Sequence, residues 1–307
     1  MKTYADLRKQ RQALISEGIT DNEEVNDRHD EIIRETFNVA TSMMEREQGP
    51  PPAPFAFFLM GSAGRREQTS SSDQDHGIMF KGGAGSDYFL ELGKEVSKGL
   101  DVVGYPLCDG NVMASNSLWC KDVDAFRSQV NSWMEEESWQ SLRNFSILFD
   151  GRVLVGEAGF LEEVKREACD LIGSRRLYSR IRDNVGFVKK GVGVFGQLVT
   201  DHPHSDHLEI KRTVYFPFVN AVRLLAVKAK EMDAPTIDRM RRMEARYPFL
   251  ASYVEDFELL LSLRLQEDSI IPDQLTKEEK KVWKYLIKRG RKLFREASRI
   301  MEEEEES

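Results

Sequence analysis

Gly61-Ser62-Ala63-Gly64-Arg65-Arg66-Glu67-Gln68-Thr69-Ser70-Ser71-Ser72-Asp73-Gln74-Asp75 is the stretch on which the fold of this chain turns. Before it, Phe55 to Met60 is a short apolar run rich in aromatics, bounded by proline and glycine, and it predicts a buried strand. After it, His76 to Phe80 predicts a second strand. Small residues at Gly61, Ser62 and Gly64 let backbone approach a ligand closely. Their N–H groups and the Ser62 hydroxyl suit phosphate oxygens, above all if a helix starts at this turn. Arg65 and Arg66 add positive charge within reach of the same anion.

Asp73 and Asp75 are two residues apart. Strand alternation puts both side chains on one face, about 6.6 Å apart along the chain. Two carboxylates so placed repel each other unless a cation lies between them. Oxygen ligands of this kind suit Mg²⁺, which takes one or two carboxylates together with substrate phosphates. A pair of such ions about 3.5–4 Å apart serves phosphoryl transfer. Either piece alone reads as a plain turn or a polar strand entry. Both together, between two strands, describe a site for a metal-bound nucleoside triphosphate.

Working outward, residues 1–48 read as helical. Thr20 with Glu23 forms a capping-box pattern, and Val25, Ile32, Ile33, Phe37, Ala40 and Met44 recur at helical spacing. Gly49-Pro50-Pro51-Pro52-Ala53-Pro54 ends that segment. Ser86 is placed to cap a helix bearing Phe89, Leu92, Val96 and Leu100, and Val102 to Leu107 reads as a third strand. Two helices follow, marked by Val123, Phe126, Val130 and Met134, and by Trp139, Leu142, Phe145 and Phe149. Beyond about Gly156 helical periodicity runs almost to the end, with a helix start at Asp273 or Thr276. The expected fold class is α+β: a small mixed-sheet domain followed by an all-helical one. The expected division is a helical lead over 1–48, the α/β domain over 49–155, the helical domain over 156–301 and an acidic tail over 302–307.

The chain has 307 residues, 44 Lys and Arg against 52 Asp and Glu, and a formal charge of −8. Apolar residues are 40% and charged residues 31%, as in a soluble globular protein rather than a disordered one. Five of the acids are the terminal run Glu302 to Glu306, so the folded body is nearly neutral. This balance argues against a nucleic-acid or anionic-membrane partner, and no stretch reaches the roughly 18 apolar residues of a membrane helix. Three cysteines, Cys108, Cys120 and Cys169, exclude a disulfide framework and suit a reducing cytoplasm.

The central stretch resembles the signature of the DNA polymerase β-type nucleotidyltransferases, a Gly-Ser turn with Asp-x-Asp about ten residues on. More closely, the chain is similar to a nucleotidyltransferase family related to the N-terminal domain of the PII-protein uridylyltransferase, often joined to CBS modules. Besides the central stretch, the matching segments are Gly49 to Phe55, Gly104 to Cys108, Gly110 to Asn116 and Leu208 to Arg212. The resemblance covers most of residues 20–270. It implies that Asp73 and Asp75 bind Mg²⁺ and that Gly61, Ser62 and Gly64 hold the triphosphate with Arg65 nearby. It also brings Lys211 and Arg212 to the phosphates. The superfamily's third carboxylate is expected at Asp109, with Asp150 as second choice. No CBS, phosphohydrolase or ACT-like segment is read beside the domain, so the expectation is that the regulatory apparatus of full-length relatives is missing or sits on another chain.

Other signals weigh less. Gly191-Val192-Gly193-Val194-Phe195-Gly196 matches G-x-G-x-x-G, but the polar, proline-broken segment after it denies the helix that a dinucleotide fold requires. It reads as a glycine-rich bend. His202, His204 and His207 lack zinc-site spacing and read as a solvated loop. The basic run Lys288 to Lys292 reads as a solvated helix face, and Trp119, Trp133 and Trp139 as core.

The favoured function is a Mg²⁺-dependent nucleotidyltransferase, uridylyltransferase- or adenylyltransferase-like and active in signal transduction. It would move an NMP group from an NTP to a hydroxyl of a PII-like protein or a small molecule. The alternative is a catalytically inactive nucleotide-sensing module. A purely helical interaction protein is disfavoured, since a scaffold gains nothing from the Asp73/Asp75 repulsion.

Overall fold

The computed structural model of the chain describes residues 2–186, 189–193, 196–200 and 206–303. Its contacts divide it into two compact units, residues 1–168 with 233–235 and residues 169–232 with 236–307.

The first unit opens with helices α1 (Tyr4–Ser16) and α2 (Asn22–Gln48). Helix α1 starts on a Thr3/Asp6 capping box. Helix α2 is capped by Asp21, whose carboxylate accepts the Glu24 N–H, and not by the expected Thr20. The Asp21 carboxylate is one residue nearer the orphan N–H groups of the first turn and carries the negative charge they favour. The proline run then delivers the chain to β1 (Phe55–Leu59), a one-turn helix α3 (Gly61–Gly64) and β2 (His76–Phe80), so both strands of the central motif form as read. They pair antiparallel, from Phe55 opposite Phe80 to Leu59 opposite His76.

Helix α4 (Ser86–Val103) begins one residue earlier than expected: Ser86 is its first residue and Gly85 its cap. Its apolar stripe of Phe89, Leu92, Val96 and Leu100 continues to Val103, and Gly104, with φ of 114°, ends it in the left-handed region. This overturns the expected strand at Val102 to Leu107, because the helical period carries Val103 into the core and leaves Val102 exposed. The remaining strands are β3 (Cys120–Asp122), parallel to β2, and β4 (Arg152–Gly156), antiparallel to β1 with a register shift at Phe57/Phe58. The sheet order is β3-β2-β1-β4. Helices α5 (Val123–Glu136) and α6 (Trp139–Phe149) lie between those two strands, and α7 (Ala158–Ser174) follows them.

Both faces of the sheet are covered. Alternation sends Phe57 to one side, where it stacks on Phe37 of α2 with ring centroids 4.5 Å apart, and Phe58 to the other, against Phe126 of α5. Phe80 stacks on Phe89 of α4 on the first side. Trp119 and Trp133 are core residues as expected. Trp139, at the start of α6, is 61% exposed and is not. As N1 of its helix, capped by Ser138, it lies where the first turn projects beyond the packed stripe of Leu142, Phe145 and Phe149.

The second unit is helical apart from a two-stranded ribbon, β5 (Leu208–Glu209) with β6 (Ser269–Ile270). Helix α8 (Tyr178–Val185) precedes the ribbon. A π-helical turn, Lys211–Tyr215, feeds α9 (Phe216–Ala229), where every residue from Pro217 to Val227 is buried. Helices α10 (Thr236–Arg242), α11 (Ala251–Gln266) and α12 (Lys277–Glu302) complete the unit. Thr276, not Asp273, caps α12, in a capping box with Glu279. The expected acidic tail begins inside α12, at Glu302, and residues 304–307 lie outside the described ones. In the glycine-rich bend, Val192 bridges Leu198 and Gly193 N–H donates to Gln197. His202 and His204 lie outside the described residues, and His207 is exposed beside Asp206.

Candidate nucleotide and metal site

The Met60 N–H donates to the Asp75 carbonyl at 2.8 Å and carries the β1–β2 ladder one step past the strand ends. The chain then reverses at Gly61, whose φ is 56°. A β-carbon there would come within 2.2 Å of Asp75 Oδ2, so only glycine lets the turn close against that carboxylate. The helical turn α3 follows, fixed by Gly64 N–H to Met60 O at 2.8 Å and Arg65 N–H to Gly61 O at 3.2 Å. The N–H groups at the start of such a turn have no partner within it. Ser62 Oγ donates to Ser72 Oγ at 3.3 Å, across the loop. Gly64 is small for packing, since a β-carbon would lie 2.1 Å from the Asp150 carbonyl oxygen.

Gln74 fixes the two aspartates. It is buried between them, and its Nε2 donates to the Ser97 and Tyr105 carbonyls at 3.1 and 3.0 Å. Its Oε1 meets His76 Nε2 at 2.9 Å, while His76 Nδ1 lies 3.2 Å from the donating Ala114 N–H. That pattern assigns the proton to Nε2, and burial holds the imidazole neutral, its pKa lowered to about 3. With Gln74 anchored inward, alternation turns Asp73 and Asp75 outward, both half-buried.

Among the described residues, the group of three able to hold a metal ion is Asp73, Asp75 and Cys108, with ligand atoms within 4.8 Å of one another. Burial first, then the Asp75 and Asp73 charges, push the Cys108 thiol up to about 12. Asp109 is not in the group. It is exposed in the turn closed by Asn111 N–H to Cys108 O, and its neighbour Cys108 points to the aspartates. Asp150 is fully buried on Arg65. Cys108 was missed by the sequence reading, which sought a carboxylate; the signal was its neighbour in the same Leu107-Cys108-Asp109 stretch.

Both arginines of the loop are engaged by acids of the first unit. Arg65 is 5% exposed, with Nε 2.7 Å from Glu67 Oε2 and Nη1 2.6 Å from Asp150 Oδ2. Arg66 pairs with Asp27 and Asp30 of α2, and Arg152 of β4 reaches the same Asp30 at 2.8 Å. These guanidiniums tie the loop to the scaffold. Asn22 and Asn26 add bonds to the Arg66 carbonyl and the Gln68 N–H, so α2 grips the loop along its length. Lys211 and Arg212 are exposed in the π-helical turn of the second unit, where Arg212 Nε is 3.4 Å from Glu209.

A glycine turn and two carboxylates at one end of a small mixed sheet, with a helical unit after it, mark a nucleotidyltransferase. Residues 5–140 match the family model described as "Putative nucleotidyltransferase DUF294". Residues 175–301 match that of its companion, "Putative nucleotidyltransferase substrate binding domain". The two matches span most of the chain, which belongs to this nucleotidyltransferase family. No curated protein matches the chain. Among the described residues, no helix is long and apolar enough to cross a membrane.

Proposed function

We propose that the chain is a Mg²⁺-dependent nucleotidyltransferase that moves an NMP group from an NTP to a hydroxyl. The observation that carries this reading is the convergence of Asp73 and Asp75 beside Gly61, ligand atoms within 4.8 Å. The donor set is two carboxylates with a thiol beside them, and the carboxylates fit a hard divalent cation. Asp73 and Asp75 would hold it. When bound, it neutralises charge on the phosphates and polarises the α-phosphate.

The chain's own groups do the rest by positioning. Gly61 and Ser62 present backbone N–H groups and a hydroxyl to the phosphate tail, and Gly64 keeps the turn tight. Arg65 supports this from beneath by holding Glu67 and Asp150. Lys211 and Arg212, which the resemblance assigns to the phosphates, are exposed cations of the second unit. In the transfer, the acceptor oxygen forms a bond to the α-phosphorus as the bond to the bridging oxygen of pyrophosphate breaks, and the hydroxyl proton leaves to solvent. The resemblance to the uridylyltransferase domain favours a protein acceptor of PII type, with a small molecule as the other class. The three free cysteines support a reducing cytoplasm as the compartment.

The second reading is a nucleotide-sensing module without turnover. It is favoured by the ligand group itself, in which the third member among the described residues is the thiol of Cys108 rather than a carboxylate able to serve as base. Incubation with labelled ATP, UTP, GTP and CTP, Mg²⁺ and cell extract separates the two. Label transfer that is lost in Asp73→Asn and Asp75→Asn supports the enzyme. Tight NTP binding by calorimetry without pyrophosphate release supports the sensor, and no binding at all removes both.

A further inference from the structure

Most of the arginines around the loop are committed to acids or carbonyls of the scaffold, Arg11 among them through the Ser70 carbonyl. Arg65 is held by Glu67 and Asp150, Arg66 by Asp27 and Asp30, and Arg152 by Asp30 and the Ala63 carbonyl. Arg143 of α6 is the exception. It is exposed, and among the described residues no ion pair or hydrogen bond engages its guanidinium. Its head nevertheless lies at the site. Arg143 Nη2 and Cys108 Sγ are 3.4 and 3.5 Å from one point, the place a β-carbon on Gly110 would take. The same Cys108 sulfur lies within 4.8 Å of both aspartate ligand atoms.

A cation without an ion-pair partner, near the thiol that adjoins two carboxylates, suits a ligand that carries both a metal and further negative charge. A nucleoside polyphosphate does so, because the aspartates that attract its cation repel its phosphates. Guanidinium fits phosphate oxygens in a two-pronged contact that a lysine ammonium reproduces only as a point charge. We propose that Arg143 is the phosphate-binding arginine of this site, contacting the polyphosphate tail in the role expected of Arg65. The assignment rests on the nucleotidyltransferase reading and names the residue that recognises its substrate's anionic part.

Trp139 lies four residues before Arg143, on the same face of α6, and is 61% exposed. It therefore serves as a reporter of events at Arg143. The test titrates the full chain in Mg²⁺ with α,β-methylene ATP and UTP, and in parallel with adenosine and uridine, following heat and tryptophan fluorescence. Wild type, Arg143→Gln, Arg143→Lys and Trp139→Phe are compared. Arg143→Gln should lose about tenfold or more in triphosphate affinity, with nucleoside affinity unchanged, and Arg143→Lys should recover part of it. The melting temperature should not move, since the side chain is exposed and unpaired. The fluorescence change on triphosphate binding should vanish in Trp139→Phe. If wild type binds the analogues and Arg143→Gln binds them equally well, the assignment is overturned while the nucleotidyltransferase reading survives. If wild type binds neither analogue, that reading itself fails.

Discussion

Gly61 and Asp75 are packed so closely that a methyl group on the glycine would sit 2.2 Å from the Asp75 carboxylate oxygen. The turn and the carboxylate are therefore one unit: the left-handed φ of Gly61 brings the backbone in, and the ladder bond from Met60 N–H to the Asp75 carbonyl locks the register. Gly61→Ala must both strain the backbone and push the carboxylate out of place. We expect a loss of about 1–3 kcal/mol in unfolding free energy and loss of Mg²⁺-dependent triphosphate binding. Denaturant unfolding and calorimetry check the two parts. Unchanged binding in the alanine variant would show that Asp75 tolerates displacement.

Arg65 belongs to the fold. Its guanidinium is the cation shared by two buried acids, Glu67 and Asp150. Arg65→Met removes that cation and leaves both carboxylates in a poorly solvated place, a loss of about 3–5 kcal/mol. Arg65→Lys keeps the charge without the two-sided fork and should fall between. Chemical denaturation measures this. A variant as stable as wild type, with weakened nucleotide binding, would instead return Arg65 to the phosphates.

Asp73 and Asp75 should behave in the opposite way. Their ligand atoms lie within 4.8 Å in a half-buried place. Asp73→Asn should thus stabilise the metal-free protein by about 1 kcal/mol through relieved repulsion. Millimolar Mg²⁺ or Mn²⁺ should raise the melting temperature of wild type and leave the doubly substituted Asp73→Asn/Asp75→Asn protein unmoved. A wild type indifferent to both ions would remove the metal from the proposal.

How far the residues announced this arrangement differs from part to part. The strands β1 and β2 were legible because aromatic runs between proline and glycine leave little else to form. The pair at Asp73 and Asp75 was legible because a period of two is a local property. The ion pairs of Arg65 were hidden for a physical reason: the local sequence says where an arginine's backbone is, while its partner Asp150 lies 85 residues away. Cys108 and Arg143 were invisible for the same reason, since only tertiary packing brings α6 and the turn after α4 to the end of β2. Val102 to Leu107 was ambiguous in itself, because β-branched residues ending an amphipathic helix look like a strand until Gly104 terminates the helix.

His29 of α2 sets an acid limit to the fold. Its Nδ1 is 2.7 Å from the Tyr105 hydroxyl. Burial, with the nearby Arg11 cation, lowers its pKa from 6.5 to about 4. The folded state therefore binds fewer protons than the unfolded one between those values. The stability held above pH 6.5 is lost as pH falls toward 4, at up to about 1.4 kcal/mol per pH unit for this group. In His29→Gln the unfolding free energy should fall less steeply between pH 6.5 and 4, by about one proton. Equal slopes in the two proteins would mean that His29 is protonated in the fold.

Arg11 shows that the N-terminal helices shape the site from a distance. From α1 it lies over the Tyr105 ring, 4.5 Å from the centroid, and its Nη2 donates to the Ser70 carbonyl at 2.9 Å. Ser70 stands in the middle of the loop, and the Tyr105 carbonyl is one of the two that hold Gln74 between the aspartates. One buried guanidinium thus braces both sides of the segment that carries Asp73 and Asp75. Arg11→Leu keeps most of the apolar contact and removes the bond and the cation–π contact. The expected cost is about 1–3 kcal/mol. Amide exchange at Ser71 and Ser72 should accelerate, with helices α9 and α12 unaffected, and triphosphate affinity should drop although no ligand of the site has been touched. A substitution that slowed no binding and left those amides protected would mean that α1 only covers the core, and that the loop holds its shape through α2 alone.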